Sequence, residues 1–473
     1  MTKNAEHTLT TVMKWPLRIF CIVTVSLITN HPCTIYGALP EERFLSLQDC
    51  IEIALRNSSS VRKAENTLKL QGSDLLRSYG RFLPTLSVSA GYTPVSLSRS
   101  YADPSIRSID RIETERVDIS LTSSLNLFNG FQDYASLQAS IKRLEAAGLS
   151  LSRAREIIVY DITQAYYQVL LNRELLTIAR ENFSSSQDQL QLTRRQYEIG
   201  IKPVTDFYQQ QAETANNELT VIKAENNLRQ SRLEMLRRLR INPAEEISVA
   251  DIPADSLLNL SKDLDADKLV SQGLAGRKDL QSVKLSASAA KWDITRAAAQ
   301  HFPKLDLTFT LNSGGYPYYA TTADVPPSSY TYPDLSDQLS DLVGYSLSIS
   351  LNWTIFDGFI TRYNVQQARI NYLNQELDAA DLEHDIAIDI QLAADNYDAA
   401  FTQIETAKQG LKAAEKAYET VKKQYDLGAA SFVEANAAKA ALVGARSEYS
   451  QAVYNLALQK NILDFATGMT SPQ

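Results

Sequence analysis

The chain has 473 residues, of which 44% are hydrophobic and 22% charged, and its formal net charge is −8 at pH 7. An acidic chain is a poor binder of nucleic acid by bulk electrostatics, so nucleic acid is not an expected partner. Mean hydropathy is −0.23, and no run reaches the roughly 18 consecutive apolar residues that predict a membrane-spanning helix.

The N-terminus has the pattern of a secretory signal peptide. Lys14 and Arg18 precede the apolar run IFCIVTVSLI, which is too short to span a bilayer. Small residues at Gly37 and Ala38 offer a cleavage site. Residues 1–37 are therefore expected to be removed on export.

Two features of this segment allow alternatives. A lipoprotein signal at Cys21 or Cys33 is one, although neither cysteine follows the small residues that lipidation needs. Met13 is an alternative start, because the segment that follows it is already a complete signal. After cleavage Cys50 is the one cysteine left, which excludes an intramolecular disulfide.

The rest of the chain contains an internal repeat. A shift of 228 residues places LFNGF (127–131) on IFDGF (355–359), and YEIG (197–200) on YDLG (425–428). A shift of 219 places RFLPTLSVS (81–89) on QHFPKLDLT, so the second copy has the longer loop between its strands.

The first repeat spans 38–240, the linker 241–266 and the second repeat 267–473. The first repeat is predicted to contain strands at about 85–94 and 117–128, a long helix at 130–199 and a return helix at 204–240. The second is predicted to contain strands at about 304–312 and 344–356, a long helix at 358–427 and a return helix at 432–465.

Apolar and polar side chains alternate in all four predicted strands. The polar face consists of Ser, Thr and Asn, and aromatic residues such as Trp353 and Phe128 lie near strand ends. Strands of about nine to eleven residues with these faces are typical of a membrane β-barrel, although a soluble sandwich gives the same alternation. Residues 95–116 and 313–343 would then be loops outside the cell. Four strands cannot close a barrel, because the smallest known have about eight, so the barrel interpretation requires an oligomer.

Each long helix has a continuous heptad seam. It runs from Ile158 to Tyr197 in the first repeat and from Ile386 to Tyr425 in the second, and many of its members are alanine. A helix over residues 130–199 is about 105 Å long. These elements predict a membrane barrel that continues into a helical tube.

A series of motifs runs in fixed order through nearly the whole mature chain. They are the signal peptide, LSLQDCIEIALRNSSSVRKAENTLKL with GRFLPTLSVSAGY, the strand ends LFNGF and IFDGF, and the tip motifs YEIGIKPVTDFYQ and YDLGAASFVEA. In these the chain resembles the TolC-like outer-membrane efflux protein family. The resemblance implies a mixed α and β fold: a homotrimer whose four strands per subunit make a 12-stranded β-barrel in outer-membrane lipid, continuing into a long periplasmic α-helical barrel of coiled-coil helices. It also implies docking to a periplasmic adaptor protein and, through it, to an inner-membrane transporter. Strand arithmetic alone would also allow a dimer of eight strands.

The resemblance further implies a gate at the turns that follow Gly200 and Gly428. In the family a tyrosine of the second turn bonds an aspartate of the first, and the matching positions are Tyr425 and Asp206. The family's nearby arginine is matched by Ala430, which leaves the charge-assisted part of this latch without its residue. Three nearby lysines are candidate substitutes: Lys202, Lys422 and Lys423.

Glu434 matches one of the family's lumen carboxylates, whereas the position of a second is Ala437. Threefold symmetry would gather Asp206 and Glu434 into rings of like charge that attract cations. Alternatively, both acids simply stabilise helix N-termini, and Tyr425 simply completes the heptad seam.

No catalytic or metal-binding motif is recognisable. There is no P-loop, G-x-S-x-G or CxxC, and His301 and His384 lie far apart in the chain, so neither an enzyme nor a cofactor is expected. The expected function is a passive outer-membrane duct of a tripartite efflux or type I secretion system, opened at its periplasmic tip by the adaptor and transporter. The alternative is a structural or adhesive spacer of the envelope, but a spacer needs neither a Ser/Thr-lined face nor paired turns.

Overall fold

The computed structural model describes residues 43–103, 106–243, 247–252, 265–321 and 333–470. The predicted signal peptide lies outside these ranges, as do parts of the predicted linker and of the predicted second loop.

In the described part of the chain, the two repeats contain the same series of four α-helices, to which the second repeat adds one short helix. The first repeat comprises β1 (Arg43–Leu45), α1 (Leu47–Asn57), α2 (Ser59–Gly80), β2 (Thr85–Asp103), β3 (Ile106–Phe128), α3 (Gln132–Glu198) and α4 (Val204–Leu239). The strand β4 (Ile247–Val249) pairs in parallel with β1. The second repeat comprises α5 (Ala266–Gly276), α6 (Lys278–Ala298), β5 (Lys304–Gly315), β6 (Tyr319–Thr321), α7 (Leu335–Asp341), β7 (Gly344–Asn352), α8 (Ile360–Asp426) and α9 (Phe432–Thr467).

Helix boundaries of the two repeats coincide under the shifts found in the sequence. Adding 219 to the bounds of α1 gives those of α5, and adding 228 to the bounds of α3 and α4 gives those of α8 and α9. Each long helix has 67 residues, which makes it about 100 Å long. Each return helix has 36 residues. The repeat of sequence is therefore also a repeat of structure.

Four strands form one antiparallel sheet in the order β2-β3-β5-β7, and β6 pairs with β3. Side chains of like character face each other across the strands. One row on the apolar face is Val88, Leu121, Leu311 and Tyr345, and one row on the polar face is Thr85, Ser124, Thr308 and Ser348. Among the described residues, the outer edges of β2 and β7 have no pairing strand. The apolar face is also exposed, with Val88 at 72% and Leu347 at 67%.

The β2–β3 hairpin is longer than the sequence analysis predicted. Instead of strands at 85–94 and 117–128, the structure has strands of 19 and 23 residues. Most of segment 95–116, predicted to be a loop, therefore continues the hairpin, with residues 104–105 outside the described ranges. A register shift between Thr93 and Ser96 accommodates Pro94, which cannot donate to the ladder.

The second predicted loop is also partly structured, and the strand after it is shorter than predicted. Residues 319–321 form β6, and α7 precedes β7. β7 ends at Asn352, whereas the prediction continued to 356, because the chain there begins the turn into α8.

Two apolar cores lie along the helices, one in each repeat. In the first, Ile162, Val169 and Leu170 of α3 pack with Leu239 and Cys50. The second contains equivalent positions of α8: Ile390, Tyr397 and their neighbours. Four of these residues belong to the predicted heptad seams, which are buried at these levels: Ile162, Val169, Ile390 and Tyr397. No helix in the described part of the chain is both long and apolar enough to cross a membrane.

Candidate functional site: the tips of the helical hairpins

Each long helix ends in the same type of turn. Gly200 and Gly428 have φ angles of +79° and +75°, which glycine adopts without steric cost. The amide that follows each glycine donates to the carbonyl five residues earlier, at 2.8 Å in both turns. This is the Schellman arrangement, and it reverses the chain into the return helix.

The return helices begin differently, although both carry an acid at the same position. Asp206 and Glu434 are equivalent under the shift of 228. Ser431 caps α9, and its own amide donates to the Glu434 carboxylate at 2.8 Å. α4 begins after Pro203, which has no side-chain cap, so the carboxylate of Asp206 does not close a capping box. It pairs instead with Lys202 at 3.8 Å.

Hydrogen bonds from the amide and hydroxyl of Ser431 lower the pKa of Glu434. A lowered pKa means that the folded state favours the ionised carboxylate. The contribution of this cap is therefore complete above the ordinary glutamate pKa of 4.5 and is lost as the pH falls through the lowered value. At neutral pH Glu434 is a charged, exposed acid at the tip.

Lys202 joins the two tips. Its Nζ lies 4.1 Å from the centre of the Tyr425 ring, and the same ammonium reaches the Asp206 carboxylate. An ammonium over the face of an aromatic ring is attracted by the ring quadrupole. The hydroxyl of Tyr425 is buried and has no hydrogen-bond partner among the described residues. The bond between Tyr425 and Asp206 that the resemblance implies is thus not made, and both residues contact Lys202 instead.

The other two candidate lysines have different surroundings. Lys423 pairs with Glu419 of its own helix at 2.9 Å. Lys422 lines a small cavity of about 80 Å³ between the hairpins, next to the tips. Tyr197, the equivalent of Tyr425, stacks on Phe207 within its own hairpin at 5.8 Å. The two tips are therefore equivalent in backbone but not in side-chain contacts.

Farther from the tips, polar and charged contacts also connect the two hairpins. Lys439 donates to Ser185 at 3.2 Å, and burial lowers the pKa of this lysine. Arg446 pairs with Glu181 at 3.6 Å. These cations lie between the tips and the level at which the helices pack around the apolar cores.

The core of the α3–α4 hairpin becomes polar in the same region. Ser186 and Thr193 have no exposed surface, and Gln210 is 3% exposed. The Gln210 amide donates to the Ser186 carbonyl at 3.2 Å, and the hydroxyls of Ser186 and Thr214 are 3.0 Å apart.

The structure thus brings Asp206 and Tyr425 together through Lys202, whereas Glu434 belongs to the cap of α9. From the sequence, Lys202 was one of three lysines that could substitute for the family's arginine. The repeat contains a signal that identifies it, because the shift of 228 places Lys202 on Ala430, the position that matches the family's arginine. In the described part of the chain no cluster of potential metal ligands occurs.

Two matching repeats, each with a strand pair continuing into a hairpin of very long helices, define a channel protein of the bacterial outer membrane. The sequence model of the outer membrane efflux protein family matches residues 50–239 and 269–469, which is most of the chain, and the chain belongs to this family. Its function is that of an outer-membrane duct of efflux or secretion systems, and its location is the outer membrane.

Relatives and solved structures agree with this assignment. The outer membrane protein TolC of Vibrio cholerae is 23% identical over 393 residues, covering 83% of each chain. TolC of Escherichia coli K12 is 22% identical over 394 residues, covering 83% of this chain and 76% of that protein. The outer-membrane channel OprN has a similar fold, with a TM-score of 0.73, 18% identity and 89% of each chain covered.

Proposed function

We propose that three copies of the chain close a 12-stranded barrel in the outer membrane, continue as an α-helical barrel through the periplasm, and act as a passive duct of a tripartite efflux or type I secretion system. The assembly is supported by one observation above all. Inside the chain the second repeat packs against the first. The repeat predicts an equivalent set of contacts on the other side of each repeat, and a single chain does not make them.

The long helices illustrate these unmade contacts. α6 lies between α3 and α8: Ser282 bonds Ser150 of α3 at 2.8 Å, and Lys284 pairs with Glu383 of α8 at 3.1 Å. α2 is the equivalent of α6 in the first repeat, yet it packs mainly against α3. A second copy that brings its α8 against α2 gives α2 the same two neighbours as α6.

The glycines at the starts of the long helices agree with this arrangement. A Cβ at Gly130 would lie only 2.5 Å from the Ala299 carbonyl and 2.8 Å from Phe302 Cβ, whereas a Cβ at Gly358 would meet no described residue within 4 Å. The turn that packs on Gly130 belongs to the second repeat, and its equivalent in the first repeat runs from Gly80 to Leu83. In the assembly, this turn of a neighbouring copy packs on Gly358.

The sheet also indicates contacts with neighbouring copies. Among the described residues no strand pairs with the outer edges of β2 and β7, and closure into a barrel removes both edges. Joining β7 of one copy to β2 of the next also continues each apolar row around the barrel. That face meets lipid, and the Ser/Thr rows line the lumen.

The tips form the gate and the docking surface. In the closed trimer Asp206 and Tyr425, both in contact with Lys202, hold the hairpins together where the tunnel narrows. Asp206 and Glu434 also present rings of negative charge that attract cations. Leu427 is 85% exposed and Ile199 is 70% exposed. These side chains offer an apolar surface to a periplasmic adaptor protein, which couples the duct to an inner-membrane transporter.

The test is the single-channel conductance of the purified trimer in a planar bilayer. We expect a small conductance for the wild type and one several times larger for Asp206→Ala. Glu198→Ala is the control, since this exposed acid pairs with Arg194 of its own helix. If all three proteins conduct equally, the duct remains supported and the assignment of the gate to Asp206 is wrong. No conductance from a verified trimer would favour the envelope spacer.

A further inference from the structure

We propose that Lys202 is the latch of the resting tip: its ammonium binds the carboxylate of Asp206 on its own hairpin and the ring face of Tyr425 on the other. This role rests on the proposed gate and specifies the chemistry that keeps it closed. The latch is a cation–π contact combined with an ion pair, and the tyrosine hydroxyl takes no part in it.

Burial and distance support the shared ammonium. The Lys202 and Asp206 side chains are 22% and 19% exposed, so their ion pair is only partly open to solvent. The ring of Tyr425 also packs against Phe432 in a T-shaped arrangement, with ring centres 6.4 Å apart. A charge over an aromatic ring is attracted more strongly as water is excluded. A fixed ring and a partly desolvated ammonium therefore suit a latch that releases when the hairpins separate.

The tyrosine hydroxyl is the alternative anchor, and its surroundings argue against it. It is buried without a hydrogen-bond partner in the described part of the chain. A hydroxyl that bonded the Asp206 carboxylate would be satisfied. Its lack of a partner indicates that the ring, and not the oxygen, makes the contact between hairpins.

The repeat makes the latch asymmetric. Under the shift of 228, Lys202 is equivalent to Ala430, and Tyr425 is equivalent to Tyr197. In the proposed trimer the joint between the second hairpin of one copy and the first hairpin of the next therefore has alanine facing tyrosine. The cation closes the joint inside each copy, and the joint between copies has no cation at this position.

Conductance separates the ring from the hydroxyl. Lys202→Met should raise the conductance several-fold, whereas Lys202→Arg should leave it near the wild-type value because the charge remains. Tyr425→Phe keeps the ring and should behave as wild type, whereas Tyr425→Leu should conduct as strongly as Lys202→Met. Lys423→Met is the matched control, because this lysine pairs only with its own helix among the contacts described at the tips. An increase in Tyr425→Phe equal to that in Tyr425→Leu would show that the hydroxyl is the latch and overturn the inference.

Ala430→Lys tests the asymmetry in the opposite direction. It places a cation four residues before Glu434, as Lys202 stands before Asp206. We expect this variant to conduct less than the wild type, because the joints between copies gain a latch. Unchanged or increased conductance would contradict the assigned asymmetry.

A readout that does not need conduction separates the latch from the duct. Hydrogen exchange of the turn amides at 199–202 and 427–430 should be faster in Lys202→Met and Tyr425→Leu than in wild type, and unchanged in Tyr425→Phe. If Asp206→Ala raises the conductance but Lys202→Met changes neither conductance nor exchange, the latch is wrong and the proposed function survives. If the wild type does not conduct while exchange follows the expected order, the latch contact is right and the duct is wrong.

Discussion

Glu156 is a fully buried carboxylate in the middle of α3. It lies 2.7 Å from Lys278 and 3.1 Å from Arg153. Arg153 also pairs with Asp279 at 3.3 Å and stacks on the Phe465 ring at 3.9 Å. These residues come from α3 in the first repeat and from α6 and α9 in the second, so the cluster ties the two repeats together.

Removing the central carboxylate should therefore destabilise the fold strongly. Glu156→Ala leaves the buried Arg153 and the partly exposed Lys278 without their shared counter-charge, and breaking a buried ion pair by removing one partner costs about 3–5 kcal/mol. Glu145→Ala is the control, because its 2.8 Å pair with Lys142 is on the surface, with Glu145 45% exposed, and such pairs are worth about 0–1 kcal/mol. The measurement is the thermal unfolding midpoint of each purified variant in detergent. Similar small losses in both variants would mean that water reaches the cluster.

At the tips, sequence indicated the residues but not their contacts. Gly200 and Gly428 mark the turns, and the constant spacing of the repeat brings Asp206 and Tyr425 to the same level. Which atoms meet was not predictable, because the ammonium of Lys202 stands on a flexible four-carbon stem that reaches several neighbours. The resemblance indicated a hydroxyl-to-carboxylate bond, whereas the structure has a lysine in contact with both groups.

Among the helices, the core changes character along the α3–α4 hairpin. Val169 and Leu170 are 1% exposed within an apolar cluster, whereas Ser186 and Gln210 form a hydrogen-bonded layer nearer the tip. A polar layer gains less from burial than an apolar one, because its groups exchange bonds with water for bonds with each other. We therefore expect the tip half of the hairpin to open more easily than the apolar half.

This gradient predicts a gradient of hydrogen exchange. Backbone amides of α3 around residues 186–193 should exchange at least about tenfold faster than those around 162–170, which corresponds to a difference of roughly 1.4 kcal/mol in opening free energy. The measurement is exchange of the purified wild type followed by mass spectrometry. The control is the double variant Ser186→Ala with Gln210→Leu, which makes the layer apolar and should slow exchange near the tip. Equal rates along α3 would contradict the gradient.

Helices were more predictable than strands for physical reasons. The structural bounds of both long helices lie within two residues of the predicted ones, because glycine at one end and the strand motif at the other interrupt a strong period. The β2–β3 hairpin was underestimated because only 9–11 residues of a strand must cross the bilayer with one apolar face. Beyond that length a two-stranded ribbon needs no strict alternation, and Pro94 obscures its continuation.

At the scale of the whole molecule, one chain makes half of each type of contact, and in the proposed trimer the neighbouring copies make the other half. The pair Ser150 and Ser282, with hydroxyls 2.8 Å apart, joins α3 to α6. The equivalent of Ser150 in the second repeat is Asp378 of α8, and the equivalent of Ser282 in the first repeat is Lys63 of α2. Both are exposed and of opposite charge. In the proposed trimer they form an ion pair between copies at a position where the chain itself has two serines.

Cysteines at this pair count the copies in the ring. Each copy carries one half of the pair on each side, so Lys63→Cys combined with Asp378→Cys should give a covalent trimer after oxidation, on a denaturing gel without reductant. Ser150→Cys combined with Ser282→Cys should close within one chain and stay at the mass of a monomer, and Cys50 is buried and should not interfere. A covalent dimer as the end product would mean that two copies close an eight-stranded barrel. If no bond forms between chains while the serine-position control closes, α8 does not pack on α2 of a neighbour, and the pseudosymmetric arrangement is wrong.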